Sequence, residues 1–224
     1  MQRQNNTEPL LIEMRDIVKT FPGTKALDGV TLKLRKGEIH ALVGENGAGK
    51  STLMNILTGQ FYMDSGEVLM EGEPIRFSSP REAMRKNIVL VPQELNLVPE
   101  ASVAENVFLG NEVLSGRLIN WKETAKEAER LLDLLDVHVD VSQPVKNLSA
   151  AYQQLVSIAR ALAYEPKVLI LDEPTAVLTN RETESLFKSM QKLKKSGTAM
   201  VFITHHLDEV MEQTDRITIM RDGC

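Results

Sequence analysis

One short segment constrains the fold of this chain more than any other. Residues 44–52 read GENGAGKST and follow an apolar, strand-like run that ends at Val43. The spacing of its glycines, lysine and serine matches the loop that binds phosphates between a strand and a helix. Glycines let backbone amides point at phosphates, the lysine reaches the terminal phosphates, and the serine can ligate Mg²⁺. The segment therefore predicts an α/β fold with a nucleotide site, the alternative being a chance match in a turn. Its candidate binding residues are Gly44, Glu45, Asn46, Gly47, Ala48, Gly49, Lys50, Ser51 and Thr52.

An acidic pair, Asp172 and Glu173, follows the apolar run of KVLILDEPT. Ligand groups of an open α/β sheet lie at the carboxyl ends of its strands. We therefore expect Asp172 to hold the Mg²⁺ shell and Glu173 to orient or deprotonate an attacking water. The alternative is an acidic pair that caps the next helix, because the first helical turn favours carboxylates.

A histidine, His205, follows the last buried apolar run in VFITHHLDEV. It is expected at the same sheet edge as Asp172, where a polar side chain can meet a γ-phosphate. A lone histidine is nevertheless more often a structural group. A metal site at His205 and His206 is not favoured, because adjacent side chains point in different directions and no third ligand has suitable spacing.

The remaining pattern predicts strands and helices that surround these motifs. Short strands fill residues 10–43, and the middle of the chain, residues 103–164, is helical. A serine, Ser149, stands where one of these helices begins and is ordinarily explained as a cap. Trp121 is expected to be a packing residue. The other predicted elements are helices at 50–58, 80–85, 121–135 and 183–193, and strands at 67–70, 88–91, 168–171, 199–203 and 216–220.

Composition narrows the class of protein. With 224 residues, 42% of them hydrophobic, the chain can bury one large core or two small ones. The net charge of −5 argues against a protein that coats nucleic acid or anionic lipid. The only cysteine is Cys224, so a disulfide framework is not expected, and a reducing compartment such as the cytoplasm is the default. The sequence contains neither a signal peptide nor an apolar run long enough to cross a bilayer.

Together these motifs resemble those of the ATP-binding cassette ATPases of ABC transporters, from Leu10 onward. The resemblance implies a P-loop NTPase fold, with a mainly parallel core sheet, an antiparallel β subdomain and an α-helical subdomain. It also implies that Phe21 stacks on adenine, that Gln93 in VPQE senses Mg²⁺ and the membrane partner, and that His205 is the switch histidine. By the same resemblance, LSAAYQQ is the signature segment, and its Ser149 serves the nucleotide of a partner cassette, with helix capping as a compatible second role.

Finer features resemble the N-terminal ATPase half of bacterial monosaccharide importers of the ribose, galactose and xylose type. These features are FPGTKAL, QELNLVPEASVAENVFLG and DEPTAVLT. The resemblance implies ATP and Mg²⁺ as cofactors, and a peripheral location on the cytoplasmic face of the bacterial plasma membrane. The implied partners are a second cassette, fused or in a dimer, transmembrane permease subunits and, indirectly, a periplasmic or extracellular sugar-binding protein; nucleic acid is not expected.

The expected organisation is a flexible leader at 1–9 and one cassette at 10–224, ending before its final strands. The core comprises 10–94 and 165–224, and the helical subdomain covers about 95–164. Residues 93–110 are expected either to receive a helix of the membrane subunit or to fill the space between the subdomains.

Two other functions stay open. One is an ATP-binding regulatory cassette with little hydrolysis, which Glu173 argues against. The other is a non-transport ABC ATPase, which should carry coiled-coil or basic insertions.

The signature segment departs from the usual LSGGQ at Ala150, Ala151 and Tyr152. The methyl group of Ala151 is expected to stand where glycine would let the chain approach a partner's γ-phosphate. This departure predicts a weakened contact and unequal activity of the two sites in a pair of cassettes.

Overall fold

The computed structural model describes residues 10–224, so the predicted leader at 1–9 lies outside the described residues. The strands are β1 (Leu10–Phe21), β2 (Thr24–Arg35), β3 (Ile39–Gly44), β4 (Ser65–Met70), β5 (Glu73–Pro74), β6 (Ile88–Val91), β7 (Leu114–Ser115), β8 (Leu118–Ile119), β9 (Val168–Asp172), β10 (Ala199–Ile203) and β11 (Arg216–Met220). The α-helices are α1 (Lys50–Leu57), α2 (Pro80–Arg85), α3 (Val103–Val107), α4 (Trp121–Leu134), α5 (Ala150–Leu162), α6 (Asn180–Lys195) and α7 (Leu207–Gln213). Among them none combines the length and apolar character that crossing a bilayer requires.

A five-stranded parallel sheet in the order β11-β3-β10-β9-β6 forms the centre of the fold. The strands predicted at 168–171 and 199–203 and the helix predicted at 183–193 form a β-α-β crossover, in which α6 begins three residues earlier than predicted. β9 pairs with β10 from Val168↔Ala199 to Asp172↔Ile203. Because the strands are parallel, their carboxyl ends meet at one edge of the sheet. The segments that follow β3, β6, β9 and β10 therefore lie side by side.

Alternate residues of the central strands face two different layers, as the two-residue period of a strand requires. Val168 and Ile170 pack on the side of α1 and of a four-stranded antiparallel sheet in the order β2-β1-β4-β5. Leu169 and Leu171 pack on the opposite side, in a core shared with α3, α4, α5 and α6. The fully apolar strands are thus buried on both faces, and the predicted fold class is confirmed.

The region predicted to be helical, residues 103–164, is interrupted twice. A small antiparallel hairpin, β7–β8, lies just before α4, and residues 135–149 between α4 and α5 contain only a short 3-10 helix at Val145–Asn147. Trp121 opens α4 at the surface, with 55% of the residue exposed, so its assignment as a packing residue is wrong. The burial of α4 comes instead from Ala128, Leu131 and Leu132, which recur at helical spacing on one face.

A buried carboxylate fixes the amino-terminal end of the sheet, opposite the phosphate-binding loop. Glu38 is 5% exposed and accepts hydrogen bonds from the Arg35 amide at 2.7 Å and from Arg216 at 3.3 Å. The ring of His40 is a third neighbour, with its Nδ1 3.4 Å from Oε1 of Glu38. Burial alone would raise the pKa of Glu38, but hydrogen bonds from His40 and Arg35 and the charge of Arg216 bring it below its usual value. The carboxylate is therefore charged at neutral pH, and it ties β11 to the start of β3.

Candidate active site

The phosphate-binding loop joins β3 to α1, as the sequence predicts. Gly49 has a left-handed conformation (φ 99°), and α1 begins directly after it. A Cβ atom on Gly49 would lie 2.5 Å from the Ala26 carbonyl oxygen, so only glycine fits here. The loop curls around the ammonium of Lys50, which donates to the carbonyl oxygens of Gly44 at 2.7 Å and Glu45 at 3.0 Å. These two hydrogen bonds hold the ammonium of Lys50 against the backbone of the loop.

The loop residues differ in what they expose. Ala48 is buried against the core, and Gly44 and Thr52 are half-buried. Glu45, Asn46, Gly47 and Ser51 are exposed. The exposed residues form the side from which a ligand can approach.

Asp172 is the last residue of β9 and is half-buried. Burial and the neighbouring charge of Glu173 raise its pKa, while the charge of Lys50 and a hydrogen bond with Ser51 oppose the rise. The two sequence motifs therefore meet in space, because the ends of β3 and β9 share one sheet edge with β10 between them. Asp172 and Ser51 line one cavity, so the carboxylate lies beside the phosphate-binding loop, as the nucleotide-site hypothesis requires.

Glu173 links three strands through its carboxylate. Its Oε2 accepts a hydrogen bond from Gln93 Nε2 at 2.9 Å, and its Oε1 lies 3.2 Å from Nδ1 of His205. Its own backbone is left-handed (φ 47°), which is unusual for a residue other than glycine. Its amide donates to the Ile203 carbonyl oxygen at 2.9 Å, so the end of β10 stabilises this conformation. Gln93, Glu173 and His205 thus form one cluster.

The helix-capping alternative for the acidic pair is wrong. The next helix, α6, begins at Asn180, and its cap is Thr179, whose hydroxyl and amide exchange hydrogen bonds with Glu182 in a capping box. Both residues lie well before this cap. Asp172 lines a cavity together with Ser51 of the phosphate-binding loop, and Glu173 contacts Gln93 and His205.

The rings of His205 and His206 lie with their centroids 4.1 Å apart and their planes inclined by 37°. No cluster of three or more potential metal ligands occurs within residues 10–224.

One carboxylate that was not predicted from the sequence stabilises the two loops that carry Glu173 and His205. Glu209 on α7 accepts hydrogen bonds from the hydroxyls of Thr175 at 3.1 Å and Thr204 at 3.2 Å. Thr175 follows Glu173 by two residues, and Thr204 directly precedes His205. Glu209 therefore joins the two loops that carry them. The only sequence signal for this role of Glu209 was that Thr175 and Thr204 each lie within two residues of a candidate site residue.

Phe21 and Ser149 lie apart from the cluster. Phe21 ends β1, is half-buried and packs edge to face against Phe61. Ser149 is exposed and caps α5, its hydroxyl accepting a hydrogen bond from the Tyr152 amide at 3.3 Å. None of the polar contacts within residues 10–224 joins Ser149 to the other candidate residues. The capping role predicted for Ser149 is confirmed, and its exposure leaves the hydroxyl accessible.

The two alanines of the signature segment differ in burial. Ala151 is 8% exposed, whereas Ala150 is exposed. Position 151 belongs to the inner face of α5 because it shares the helical spacing of the buried residues Gln154, Leu155 and Ile158. The exposed methyl group of the signature segment is therefore that of Ala150, and the effect of Ala151 on a partner's phosphate contact stays a prediction.

Part of residues 93–110 fills the chain's own core and part is exposed, while contact with a membrane subunit stays a prediction. Val103, Val107 and Phe108 are buried among α4 and α5, so they fill the chain's own core. Val98 and Leu109 are exposed, at 43% and 39%. A cavity of about 710 Å³ runs from Ser51 and Asp172 along this segment to α5, and Gln93, Glu94, Asn96 and Arg160 contribute to its walls.

Comparison with known proteins places this geometry in a family. The family model described as ABC transporter matches residues 27–176. A ribose import ATP-binding protein of Rhodopirellula baltica is 50% identical over 97% of this chain, and a galactose/methyl galactoside import ATP-binding protein of Photobacterium profundum is 45% identical over 96%. The chain covers 43% and 44% of these two relatives, so it spans less than half of their length.

Solved structures agree with the sequence relatives. A nucleotide-free ATP-binding cassette from an ABC transporter is 31% identical, with a TM-score of 0.85 over 96% of this chain and 88% of that one. A dimeric cassette in a post-hydrolysis state, bound to ADP and Pi, is 28% identical, with a TM-score of 0.83 over 95% of each chain. The phosphate-binding loop, the acidic pair at the end of β9 and these matches together assign the chain to the ABC transporter family, as an ATP-binding cassette.

Proposed function

We propose that this chain binds ATP with Mg²⁺ and hydrolyses it to power the import of a monosaccharide. The observation that carries the proposal is the convergence of the loop around Lys50 with Asp172 and Glu173 at one sheet edge. The relatives named for ribose and galactose import, 50% and 45% identical, support the transport role and the sugar class. We also propose that the chain forms a single cassette, with a core at 10–94 and 165–224 and a helical subdomain at about 95–164.

Each residue of the site has a proposed task. Lys50 and the backbone amides of residues 44–52 bind the phosphates. Glu173 orients or deprotonates the attacking water, and Gln93 and His205, which contact its carboxylate, hold it in place. In this proposal His205 also meets the γ-phosphate, and Phe21 stacks on the adenine.

The proposed metal ligands are Ser51, Gln93 and Asp172, which line one cavity. A hydroxyl, an amide oxygen and a carboxylate fit Mg²⁺, which prefers oxygen ligands and binds few protein groups at once. When bound, the metal neutralises charge on the transferred phosphate. The hydrogen bond from Gln93 Nε2 to Glu173 leaves the amide oxygen of Gln93 free for this role.

The proposed assembly contains a second cassette, permease subunits and, through them, a sugar-binding protein, at the cytoplasmic face of the bacterial plasma membrane. The exposed Ser149 serves the nucleotide of the second cassette. The dimeric solved relative bound to ADP and Pi supports paired cassettes. A DNA-repair or translation ATPase is less favoured because the longest helix within residues 10–224, α6, has 16 residues, too short for a coiled-coil insertion.

Calorimetry of the chain with Mg-ATP tests nucleotide binding. We expect saturable heat from the parent chain and its loss in Lys50→Met, because this substitution removes the ammonium that contacts the phosphates. Lys146→Met is the matched control, since Lys146 is an exposed lysine paired with Glu100. Turnover by this chain alone is expected to be slow, because half of each composite site comes from a partner. A folded parent chain that binds no Mg-ATP would contradict the proposal.

Crosslinking in the assembled transporter tests the membrane-partner surface. Val98→Cys and Leu109→Cys, placed in a Cys224→Ser background, are expected to link to the membrane subunit because both positions are exposed within residues 93–110. Glu73→Cys on β5, an exposed position in the antiparallel sheet, is the control and should not link. If Val98→Cys and Leu109→Cys gave only intramolecular links, residues 93–110 would be assigned to internal packing alone.

A further inference from the structure

An aromatic contact beside the proposed base-stacking residue has no task in the function described so far. The ring of Phe61 meets the ring of Phe21 edge to face, with centroids 5.4 Å apart and planes inclined by 75°. Phe61 lies in the connection between α1 and β4 and is 37% exposed. Edge-to-face pairs are favourable beyond the area they bury, so this contact restrains the Phe21 ring.

A set of polar contacts holds the same connection against the end of β1. The Asp64 carboxylate accepts hydrogen bonds from the Lys19 ammonium at 2.8 Å and the Thr20 amide at 2.6 Å. These bonds hold the pKa of Asp64 below its usual range, so it is charged at neutral pH. The Asp64 amide donates to the Val18 carbonyl oxygen at 2.8 Å. The ammonium of Lys19 also lies 5.5 Å from the centroid of the Phe21 ring, within cation–π range.

The connection is tied to the phosphate-binding loop through α1. The amides of Gln60 and Phe61 both donate to the Asn55 carbonyl oxygen, at 2.8 and 3.1 Å. The helix that contains Asn55 begins at Lys50. The segment that restrains Phe21 is therefore the continuation of the helix that carries the phosphate-binding lysine.

β2, which pairs with β1, brings the end of β1 close to the phosphate-binding loop. A Cβ atom on Gly49 would lie 2.8 Å from Leu27 Cδ2, so Leu27 touches the loop. Leu27 pairs with Lys19, two residues before Phe21, which places Phe21 roughly 7 Å further along the strand. A base attached to phosphates in the loop is within reach of the Phe21 ring.

We propose that Phe61 and Asp64 are positioning residues for base recognition, because they hold the Phe21 ring in the orientation that stacks on the base of ATP. This inference rests on the proposed function. A ring that is already fixed loses little rotamer freedom when a base stacks on it, so pre-organisation strengthens binding of the base. The side chains of both residues contact the end of β1, whereas the tie of Phe61 to α1 is a backbone hydrogen bond that a substitution retains. The effect of replacing either side chain should therefore be confined to the base.

Calorimetry with two ligands separates the base from the phosphates. In the full chain, Phe61→Leu is expected to weaken Mg-ATP binding roughly three- to tenfold and to leave Mg-tripolyphosphate, which has no base, within about twofold. Tyr62→Leu is the matched control: Tyr62 is the next aromatic residue, 50% exposed, and its ring lies beside Arg76, not Phe21. It should leave both affinities unchanged. If Phe61→Leu does not fold, Phe61→Met provides the same comparison.

A double-mutant cycle tests whether Phe61 acts through Phe21. The Phe21→Leu/Phe61→Leu variant is expected to bind Mg-ATP as Phe21→Leu does, since a positioning residue has no effect once its target ring is absent. Phe61→Tyr should retain parent affinity, and Asp64→Ala should show the same selectivity for the base. Additive losses, or equal weakening of both ligands, would overturn the inference and leave the proposed function standing. A parent chain that binds neither ligand would overturn both.

Discussion

Replacing Glu173 by glutamine is expected to lower ATP turnover by about two orders of magnitude or more while Mg-ATP binding survives. Glutamine has nearly the same size but cannot accept a proton from water. Its amide oxygen can still accept the hydrogen bond from Gln93 or the one from His205, so the cluster keeps its shape. The loss is thus expected in the chemical step and not in binding. Turnover and binding of the assembled transporter, measured on one preparation, separate the two.

Glu212→Gln is the matched control for this substitution. Glu212 is an exposed glutamate on α7, the helix that follows His205, so the same chemical change there removes one charge without touching the cluster. It is expected to keep parent turnover. If Glu173→Gln also kept parent turnover, Glu173 would not be the catalytic carboxylate.

Replacing Gly49 by alanine is expected to lower the free energy of unfolding by about 3 kcal/mol. Two effects add at this position: the left-handed backbone (φ 99°) costs alanine about 1–2 kcal/mol, and overpacking against a neighbour costs about 1–3 kcal/mol. The neighbour is the Ala26 carbonyl oxygen, 2.5 Å from the added Cβ, and it belongs to backbone that cannot rotate away. Urea unfolding without nucleotide measures the effect.

Gly47→Ala is the control in the same loop. Gly47 also has a left-handed backbone (φ 87°), but a Cβ atom there would meet no atom of residues 10–224 within 4 Å. It should therefore pay only the conformational penalty of about 1–2 kcal/mol. If the two substitutions destabilised the chain equally, the close approach of the Cβ at position 49 to β2 would not contribute to the free energy of unfolding.

Much of the fold follows from local sequence signals. The β9–α6–β10 crossover is encoded by two apolar runs that flank a helical pattern, and α6 begins at Asn180 because Thr179 and Glu182 form a capping box. Prediction fails where a residue's environment depends on distant elements. Trp121 is apolar and stands at a helix start, but no sequence period indicates that its side chain is left at the surface.

The signature segment illustrates the same limit. Helical spacing from Ser149 places Ala150 and Ala151 on different sides of α5, but the sequence does not say which side the core covers. The packing of the folded chain decides it and buries Ala151. The support from Glu209 was missed for a similar reason, since α7 brings it under two loops that lie far apart in the chain.

The phosphate-binding loop, the acidic pair at the end of β9 and the family can be recognised in the sequence alone, because each depends on residue types at fixed short spacings. The contacts of Glu173 with Gln93 and His205, in contrast, depend on how the chain folds. These residues are separated by 80 and 32 positions, and they meet because the strand order is β3-β10-β9-β6. Strand order depends on how whole layers pack on both faces of the sheet, and the local spacing of residues within a strand does not encode it.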